Sequence, residues 1–202
     1  THDVTYSVDK PGVITVAQDG LVIPAADGAV TVTATEPGGQ KVDIALATVR
    51  CAEELPINFE NEIVPIFTKL GCNGGGCHGK SGGQNGFALS LLGFVPEFDY
   101  NTLVKENRGR RVLTTAPESS LLLMKAAGEM AHAGGKRMEV GSDEYKLIRR
   151  WIAAGTPFSD GKDLQVTKIT VYPEQRIVQR NNRQQFSVFA HYSDGSIVDV
   201  TQ

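Results

Sequence analysis

The sequence predicts a mixed α+β, multidomain chain in which a small all-α domain lies between two all-β segments. Three observations lead to this prediction. Residues 1–51 and 161–202 alternate polar and apolar residues in short runs separated by turn signals, which is typical of strands. Residues 52–160 carry apolar residues at helical spacing instead. The 202 residues suffice for two compact domains, and a hydrophobic content of 41% is that of a globular protein.

The two outer segments have the pattern of short strands with one buried face. Residues 1–51 contain five alternating runs, at 4–8, 13–16, 21–23, 29–34 and 42–46. Residues 161–202 contain three more, at 164–173, 184–192 and 196–201, with a hairpin signal at Asp194-Gly195. So few short strands cannot bury two sheet faces. We therefore expect neither segment to form a complete sandwich by itself.

The middle segment predicts three short helices. They cover residues 61–70, residues 121–125 after the candidate N-caps Ser119 and Ser120, and the residues between the candidate N-cap Ser142 and the helix stop at Gly155. Pro65 lies in the first turn of the first helix, where its missing N–H costs little. The inner face of the last helix is expected to carry Tyr145, Ile148, Trp151 and Ile152.

Between the first two helices the sequence reads Cys72-Asn73-Gly74-Gly75-Gly76-Cys77-His78. Two cysteines followed directly by a histidine are the attachment signature of c-type haem, in which both sulfurs bond the porphyrin and the histidine ligates iron. The usual spacer has two residues, whereas this one has four. Three of the four are glycine, and we expect them to supply left-handed backbone conformations in a longer loop. The motif predicts one covalent haem c.

Two other chemistries fit the same residues. Two thiolates and His78, joined by a second histidine, would make a Cys2His2 zinc site. A disulfide between Cys72 and Cys77 would close the glycine-rich loop. Cys51 lies outside the motif, and a buried, inert thiol is the simplest interpretation of it.

Three strings within residues 58–158 carry a family resemblance: NFENEIVPIFTKLGCNGGGCHGKSGGQNGFALSLLGFVPEFDY, RGRRVLTTAPESSLLLMKAAG and HAGGKRMEVGSDEYKLIRRWIAAGTPF. They resemble the planctomycete-type cytochrome c domains, which implies a small all-α fold of the class I type. The outer segments resemble bacterial Ig-like group 2 domains. Residues 161–202 resemble the beginning of such a domain, and residues 1–51 resemble its remainder. The resemblance implies either that the chain is part of a longer one or that the two segments complete one sandwich, within one chain or between neighbouring copies.

The second axial ligand is expected in residues 131–141, the region that holds a methionine loop in class I cytochromes. His132 lies 19 residues before Trp151 and Met138 lies 13 residues before it. The family's loops leave a gap nearer the first value, and related domains place a histidine before glycines, as in His132-Ala133-Gly134-Gly135. His132 is therefore the predicted ligand and Met138 the alternative. Met130, Met124 or an open site would be the remaining choices.

Two further kinds of haem contact are predicted. Trp151, on the inner face of the last helix, is the aromatic residue expected to touch the haem. Guanidinium groups match carboxylate geometry, so the haem propionates are expected to pair with basic side chains, of which the candidates are Arg110, Arg111, Lys136 and Arg137. A solvated basic surface is the alternative interpretation of these cations.

With two protein ligands the iron has no open position, so the sequence predicts electron transfer rather than enzymatic catalysis. No phosphate loop or nucleophile elbow is present in the sequence, no basic stripe suggests nucleic acid, and no apolar run is long enough to span a membrane. Expected partners are redox proteins or neighbouring copies in a head-to-tail oligomer or filament. The resemblance implies a periplasmic, cell-surface or extracellular location. A structural or adhesion module stapled by haem or zinc is the alternative, and a haem enzyme or sensor a third.

Overall fold

The computed structural model describes residues 3–159 and 164–201 and has the mixed α+β composition that the sequence predicts. Contacts divide the chain into two compact units, Thr1–Leu55 and Pro56–Gln202. The first unit contains the predicted segment 1–51. The second unit contains both the helical region and residues 164–201, and the predicted boundary between residues 160 and 161 lies outside the described residues.

In the described residues the first unit has five strands, each of which overlaps one predicted run. They are β1 (Thr5–Val8), β2 (Ile14–Val16), β3 (Val22–Pro24), β4 (Gly28–Thr35) and β5 (Lys41–Thr48). Strands β1, β4 and β5 form an antiparallel sheet in that order, and β2 and β3 form a separate antiparallel hairpin. The register places Val32 opposite both Val8 and Ile44, so one face of the sheet is an apolar row.

The core of this unit covers only part of that apolar face. Ile14 of β2 packs with Val30 and Val32 of β4, and all three are buried. Val42 and Ile44 of the edge strand β5 belong to the same face of the sheet. They are nevertheless 61% and 48% exposed.

The second unit has four short helices. They are α1 (Val64–Lys69), which continues a π-helical turn at Phe59–Ile63, α2 (Pro96–Tyr100), α3 (Leu121–Ala126) and α4 (Asp143–Ala153). Ser142 caps α4 as predicted, because its hydroxyl accepts the Tyr145 N–H. Ser120 occupies the N-cap position of α3, but its hydroxyl accepts the Leu113 N–H and therefore ties a preceding loop to the helix.

The four residues predicted for the inner face of α4 are all buried in the core of this unit. Phe59 lies at the centre of an aromatic cluster, 5.3 Å from both the Trp151 and the Tyr100 rings. The Trp151 Nε1–H donates to the Pro157 carbonyl at 2.8 Å, so this indole is satisfied within the core. Phe59, in the turn that leads into α1, thereby packs directly on Trp151 of α4.

Three strands complete the second unit. Strands β6 (Val166–Tyr172), β7 (Ser187–Tyr192) and β8 (Ile197–Asp199) form an antiparallel sheet in chain order. The Asn61 side-chain amide donates to the Leu164 carbonyl at 3.2 Å and connects the start of β6 to the helical region. In residues 3–159 and 164–201, no helix has the length and apolar character needed to cross a membrane.

Candidate functional site

The Cys72–His78 loop is closed by backbone hydrogen bonds. Helix α1 ends at Lys69, and the Cys72 N–H then donates to the Phe67 carbonyl at 2.8 Å. The His78 N–H donates back to the Cys72 carbonyl at 3.0 Å. This bond brings the histidine next to the first cysteine despite the four-residue spacer.

The expectation that the spacer glycines supply left-handed conformations is wrong. Gly74, Gly75 and Gly76 do not have positive φ angles, whereas Gly71 before the motif does, at +73°. The tightest approach lies after the motif. A Cβ atom on Gly79 would lie 1.9 Å from the Asn73 carbonyl oxygen. The requirement for glycine therefore falls on the two flanks of the loop, because the chain turns and crosses itself there.

A cavity of about 510 Å³ opens beside the loop, a size typical of cofactor sites. The two motif cysteines, His78 and His132 all line it. Much of the remaining wall is apolar and comes from Phe67, Phe87, Leu89, Leu103, Leu121, Leu122 and Ala126. The structure thus brings four of the predicted site residues together around an apolar space.

His78 is half-buried, with a defined orientation. Its Nδ1 lies 2.9 Å from the Phe87 carbonyl oxygen. Because a carbonyl only accepts, Nδ1 must carry the proton, which leaves the lone pair on Nε2. Burial lowers the pKa of His78, which favours the neutral, metal-binding form of the ring.

His132 is held in the same way by its own turn. Its Nδ1 lies 2.9 Å from the Gly135 carbonyl oxygen, and the Gly135 N–H donates to the His132 carbonyl at 2.9 Å. Gly135 has a φ of +72°, which the turn requires. A Cβ on Gly134 would lie 2.9 Å from Cε1 of His132, so this glycine leaves the space that the imidazole occupies. Nε2 of His132 is again the nitrogen with the lone pair.

The two imidazole rings are 5° from parallel, and their centres are 6.2 Å apart. Two imidazole–metal bonds of about 2.0 Å, together with the distance from each nitrogen to its ring centre, amount to about 6 Å. The distance between the ring centres is therefore compatible with one metal ion bound by both Nε2 atoms. No group of three or more His, Cys, Asp and Glu side chains among the described residues is close enough to hold a metal ion. A haem iron takes only two protein ligands, so this pair can serve it.

The structure does not bring Met138 or Trp151 to the cavity wall. Met138 is buried in the core and borders a separate cavity with Leu70 and Glu144. Trp151 is fully buried against Phe59. Trp151 therefore does not line the cavity where a haem contact was predicted, because its indole packs in the aromatic core.

Four cations line the cavity: Arg110, Arg111, Lys125 and Arg137. Arg111 is buried, and its two terminal nitrogens donate to the Thr102 and Gly86 carbonyls. Its guanidinium also lies 4.7 Å from the centre of the Phe87 ring. Arg111 thus supports the segment whose carbonyl orients His78. Lys136 does not line this cavity and forms an exposed ion pair with Glu139.

The cysteines are all unpaired, so the structure contains no disulfide that closes the loop. Burial raises the pKa of Cys72 to about 11, and the nearby Arg137 lowers it only in part. The Arg137 guanidinium also lies 3.7 Å from the Cys77 sulfur.

Three functional positions escaped sequence reasoning. The Phe87 carbonyl is a backbone atom, which no residue pattern reveals. Lys125 lines the cavity from helix α3, and its spacing from Leu121 on one helical face was the available signal. Asn73 is fully buried, with its amide donating to the Thr68 hydroxyl at 2.8 Å, although it looked like part of a variable spacer.

Comparison of the chain with protein-family models, with curated proteins and with solved structures finds no match. The resemblance to the planctomycete-type cytochrome c domains therefore rests on the three strings within residues 58–158, and the resemblance to Ig-like domains rests on the strand pattern of residues 1–51 and 161–202.

Proposed function

We propose that this protein is a c-type cytochrome that transfers electrons through one covalently bound haem. Cys72 and Cys77 would form the two thioethers, and His78 and His132 would ligate the iron. When bound, haem supplies a reversible Fe(III)/Fe(II) couple. The cavity, its apolar wall and its four cations fit a large, flat, dianionic group better than they fit a small ion.

The observation that carries the proposal is the pairing of His78 and His132. Both rings border one cavity, are nearly parallel, and use Nδ1 for a backbone carbonyl, which leaves Nε2 for a metal. A carbonyl acceptor on the second ring nitrogen is the usual partner of a metal-ligating histidine. A histidine that serves only packing would need neither the parallel orientation nor the carbonyl acceptor on Nδ1.

The remaining lining residues have separate roles in the proposal. The apolar wall excludes water from the haem and thereby helps to set its potential. Arg110, Lys125 and Arg137 are the cations proposed to meet the propionates, although Lys125 Nζ also donates to the Ala131 carbonyl at 2.9 Å. Both terminal nitrogens of Arg111 donate to carbonyls. With two histidine ligands the iron is six-coordinate. Outer-sphere electron exchange is then the remaining activity, with redox proteins or neighbouring copies as partners in the periplasm or outside the cell.

Haem extraction tests this proposal directly. The chain is produced in cells that attach c-type haem, and the purified protein is treated with acid–acetone. The colour should stay with the polypeptide, and the reduced protein should show the sharp absorption bands of a low-spin haem. The double variant Cys72→Ala/Cys77→Ala should lose all covalent haem. Cys51→Ala, which lies outside the motif, is the matched control and should keep it.

Three results would overturn the proposal. They are haem that extracts completely, one bound zinc without visible absorption, and a haem that does not undergo reversible reduction. The second would favour a zinc-stapled structural module, and the third a haem that serves only to hold a small domain together.

A further inference from the structure

Arg111 is a buried cation whose position in the cavity wall is fixed by hydrogen bonds. Its terminal nitrogens donate to the Thr102 and Gly86 carbonyls, and its own carbonyl accepts the Leu122 N–H at 3.0 Å. The residue lines the cavity although it is only 6% exposed. A guanidinium group keeps its proton throughout the ordinary pH range. The cavity wall therefore contains a permanent and immobile positive charge.

The charge of Arg111 has no partner carboxylate in direct contact. Among residues 3–159 and 164–201, the ion pairs involve other cations. Glu106 acts on the guanidinium only from beyond ion-pair distance, and it is itself exposed to solvent. Carbonyl groups satisfy the N–H donors of Arg111 but leave its charge uncompensated. A buried charge without a counter-charge costs folding free energy, so stability alone does not account for a cation at this position.

Phe87 contacts both Arg111 and His78. The guanidinium carbon lies 4.7 Å from the centre of the Phe87 ring, and the His78 ring centre lies 4.5 Å from the same point. These two distances place the guanidinium carbon within about 9 Å of the imidazole centre. The interaction between charges is stronger where apolar groups replace water, because the effective dielectric constant is then lower. The field of Arg111 therefore reaches His78 past an apolar ring.

We propose that the buried charge of Arg111 raises the reduction potential of the haem held by His78, and that this residue does not serve as a propionate partner. The inference rests on the proposed function, because it requires iron on His78. A nearby positive charge stabilises Fe(II) relative to Fe(III), since the reduced form carries one more electron. Ligation by two histidines lacks the methionine that raises the potential in other cytochromes c. Arg111 would offset part of that difference.

A role for Arg111 as a mere support of Phe87 predicts a shift of the opposite sign. The Phe87 carbonyl accepts the His78 Nδ1–H, and such an acceptor makes the imidazole a more basic ligand. A more basic ligand stabilises Fe(III) and lowers the potential. If Arg111 only held Phe87 in place, its loss would weaken this hydrogen bond and raise the potential. Loss of the charge should lower it, so the direction of the shift separates the two roles.

Redox titration of the full haem-loaded chain tests the proposal. Arg111→Gln removes the charge but keeps a side-chain amide that can donate to a carbonyl. At a fixed electrode potential, the ratio of reduced to oxidised haem should fall on the order of tenfold, the effect of one charge at about 10 Å in a partly buried site. For a one-electron couple, a tenfold change corresponds to about 59 mV.

Two further variants separate the charge of Arg111 from its hydrogen bonds. Arg111→Lys keeps the charge and loses the fork, so its potential should equal or exceed that of the native protein although the variant is less stable. Arg108→Gln makes the same change of charge on an exposed residue outside the cavity wall. It should leave the potential almost unchanged, because water and salt screen exposed charges.

The visible spectrum shows which variants can be compared. Each variant must retain covalent haem and a low-spin spectrum, so that the shift in potential does not come from a lost ligand. If Arg111→Gln does not fold, Arg111→Leu replaces it, because an apolar side chain carries no polar group that needs a partner. Arg111→Lys tests the role of the charge in either case.

Three outcomes would overturn this proposal while leaving the electron-transfer function intact. The first is a potential in Arg111→Gln that equals or exceeds the native value. The second is a fall in Arg111→Lys as large as that in Arg111→Gln, since the lysine retains the charge. The third is an equal fall in Arg108→Gln, which would show that only net charge matters. Absence of covalent haem from the native protein would instead contradict the proposed function itself.

Discussion

The rings of His78 and His132 line the same cavity and are nearly parallel, 5° apart in orientation and 6.2 Å apart between centres. Each ring is fixed by a backbone carbonyl on its Nδ1, so neither is free to rotate. The relative orientation of the two rings is therefore a property of the folded chain rather than a result of metal binding.

Electron paramagnetic resonance should detect this orientation. Parallel axial imidazoles lift the degeneracy of the two iron d orbitals that interact with them, which gives a rhombic low-spin spectrum with three resolved g values. The oxidised protein should show this spectrum at low temperature. A single large g value, which is typical of perpendicular rings, would contradict the arrangement described here.

Replacement of the proposed distal ligand should change the spin state. His132→Ala should convert the oxidised haem from low-spin to high-spin, because one of its two imidazoles is lost. Met138→Leu should leave the haem low-spin, since Met138 lies in the core, and should cost less than about 1.5 kcal/mol of stability. A sulfur-to-iron charge-transfer band in the native protein would instead identify Met138 as the ligand.

Gly134→Ala tests whether the turn positions His132. The added Cβ would lie 2.9 Å from Cε1 of His132, so the ring must move or the turn must open. We expect a partly high-spin haem without loss of covalent attachment. Gly76→Ala is the control, because its Cβ would have no atom within 4 Å. Equal spectra for the two variants would show that the imidazole tolerates the methyl group.

Arg111→Lys should destabilise the protein although it keeps the charge. An ammonium group cannot reproduce the fork that reaches the Gly86 and Thr102 carbonyls together. An unsatisfied buried acceptor costs about 1–3 kcal/mol. The neighbouring Arg110 is exposed, and Arg110→Lys should change the free energy of unfolding by less than about 0.5 kcal/mol. Chemical denaturation of both variants measures the difference, and equal values would contradict the role given to Arg111.

Asp99 should make stability depend on acidic pH. Burial raises the pKa of this carboxyl above its ordinary value of about 3.9, although hydrogen bonds from Ser90 lower it in part. The folded state therefore binds the proton more tightly than the unfolded state. The stability that protonated Asp99 adds to the fold is fully present below a pH of about 3.9 and is lost as the pH rises through the raised pKa.

Asp99→Asn lacks this ionisation and serves as the reference. As the pH rises above about 4, the unfolding free energy of the native protein should fall relative to that of Asp99→Asn. It should then level off. Parallel stability curves for the two proteins across this range would show that Asp99 does not titrate differently on folding.

Local patterns in the sequence were sufficient for most helices and strands. The alternation in residues 29–34 became β4, and the cap at Ser142 became the start of α4, because both depend on neighbours in sequence. Helix α2 was missed although Pro96 and Glu97 are typical of a helix start. Trp151 was assigned to the cavity wall, since periodicity identifies a buried face but not what that face meets.

The site was predictable to the extent that its chemistry resides in side chains. The motif predicts Cys72, Cys77 and His78, the family resemblance adds His132, and the structure places all four around one cavity. The Phe87 and Gly135 carbonyls were not predictable, because every residue has a carbonyl and only the fold decides which one meets a ring. The prediction of left-handed conformations for the spacer glycines was wrong for a related reason. The chain met its need for an unusual conformation at the adjacent Gly71.

The burial of Cys72 has a consequence for how the protein matures. Thioether formation uses the thiolate, and a thiol with a pKa of about 11 is almost wholly protonated at neutral pH. In the folded chain the thiol that we propose for the first thioether is therefore poorly reactive, while the bond from the His78 N–H to the Cys72 carbonyl has already closed the loop. Cofactor insertion is consequently expected to come before the loop folds onto α1. The machinery that attaches haem would act on the extended motif before the chain folds, and folding would then enclose the attached haem.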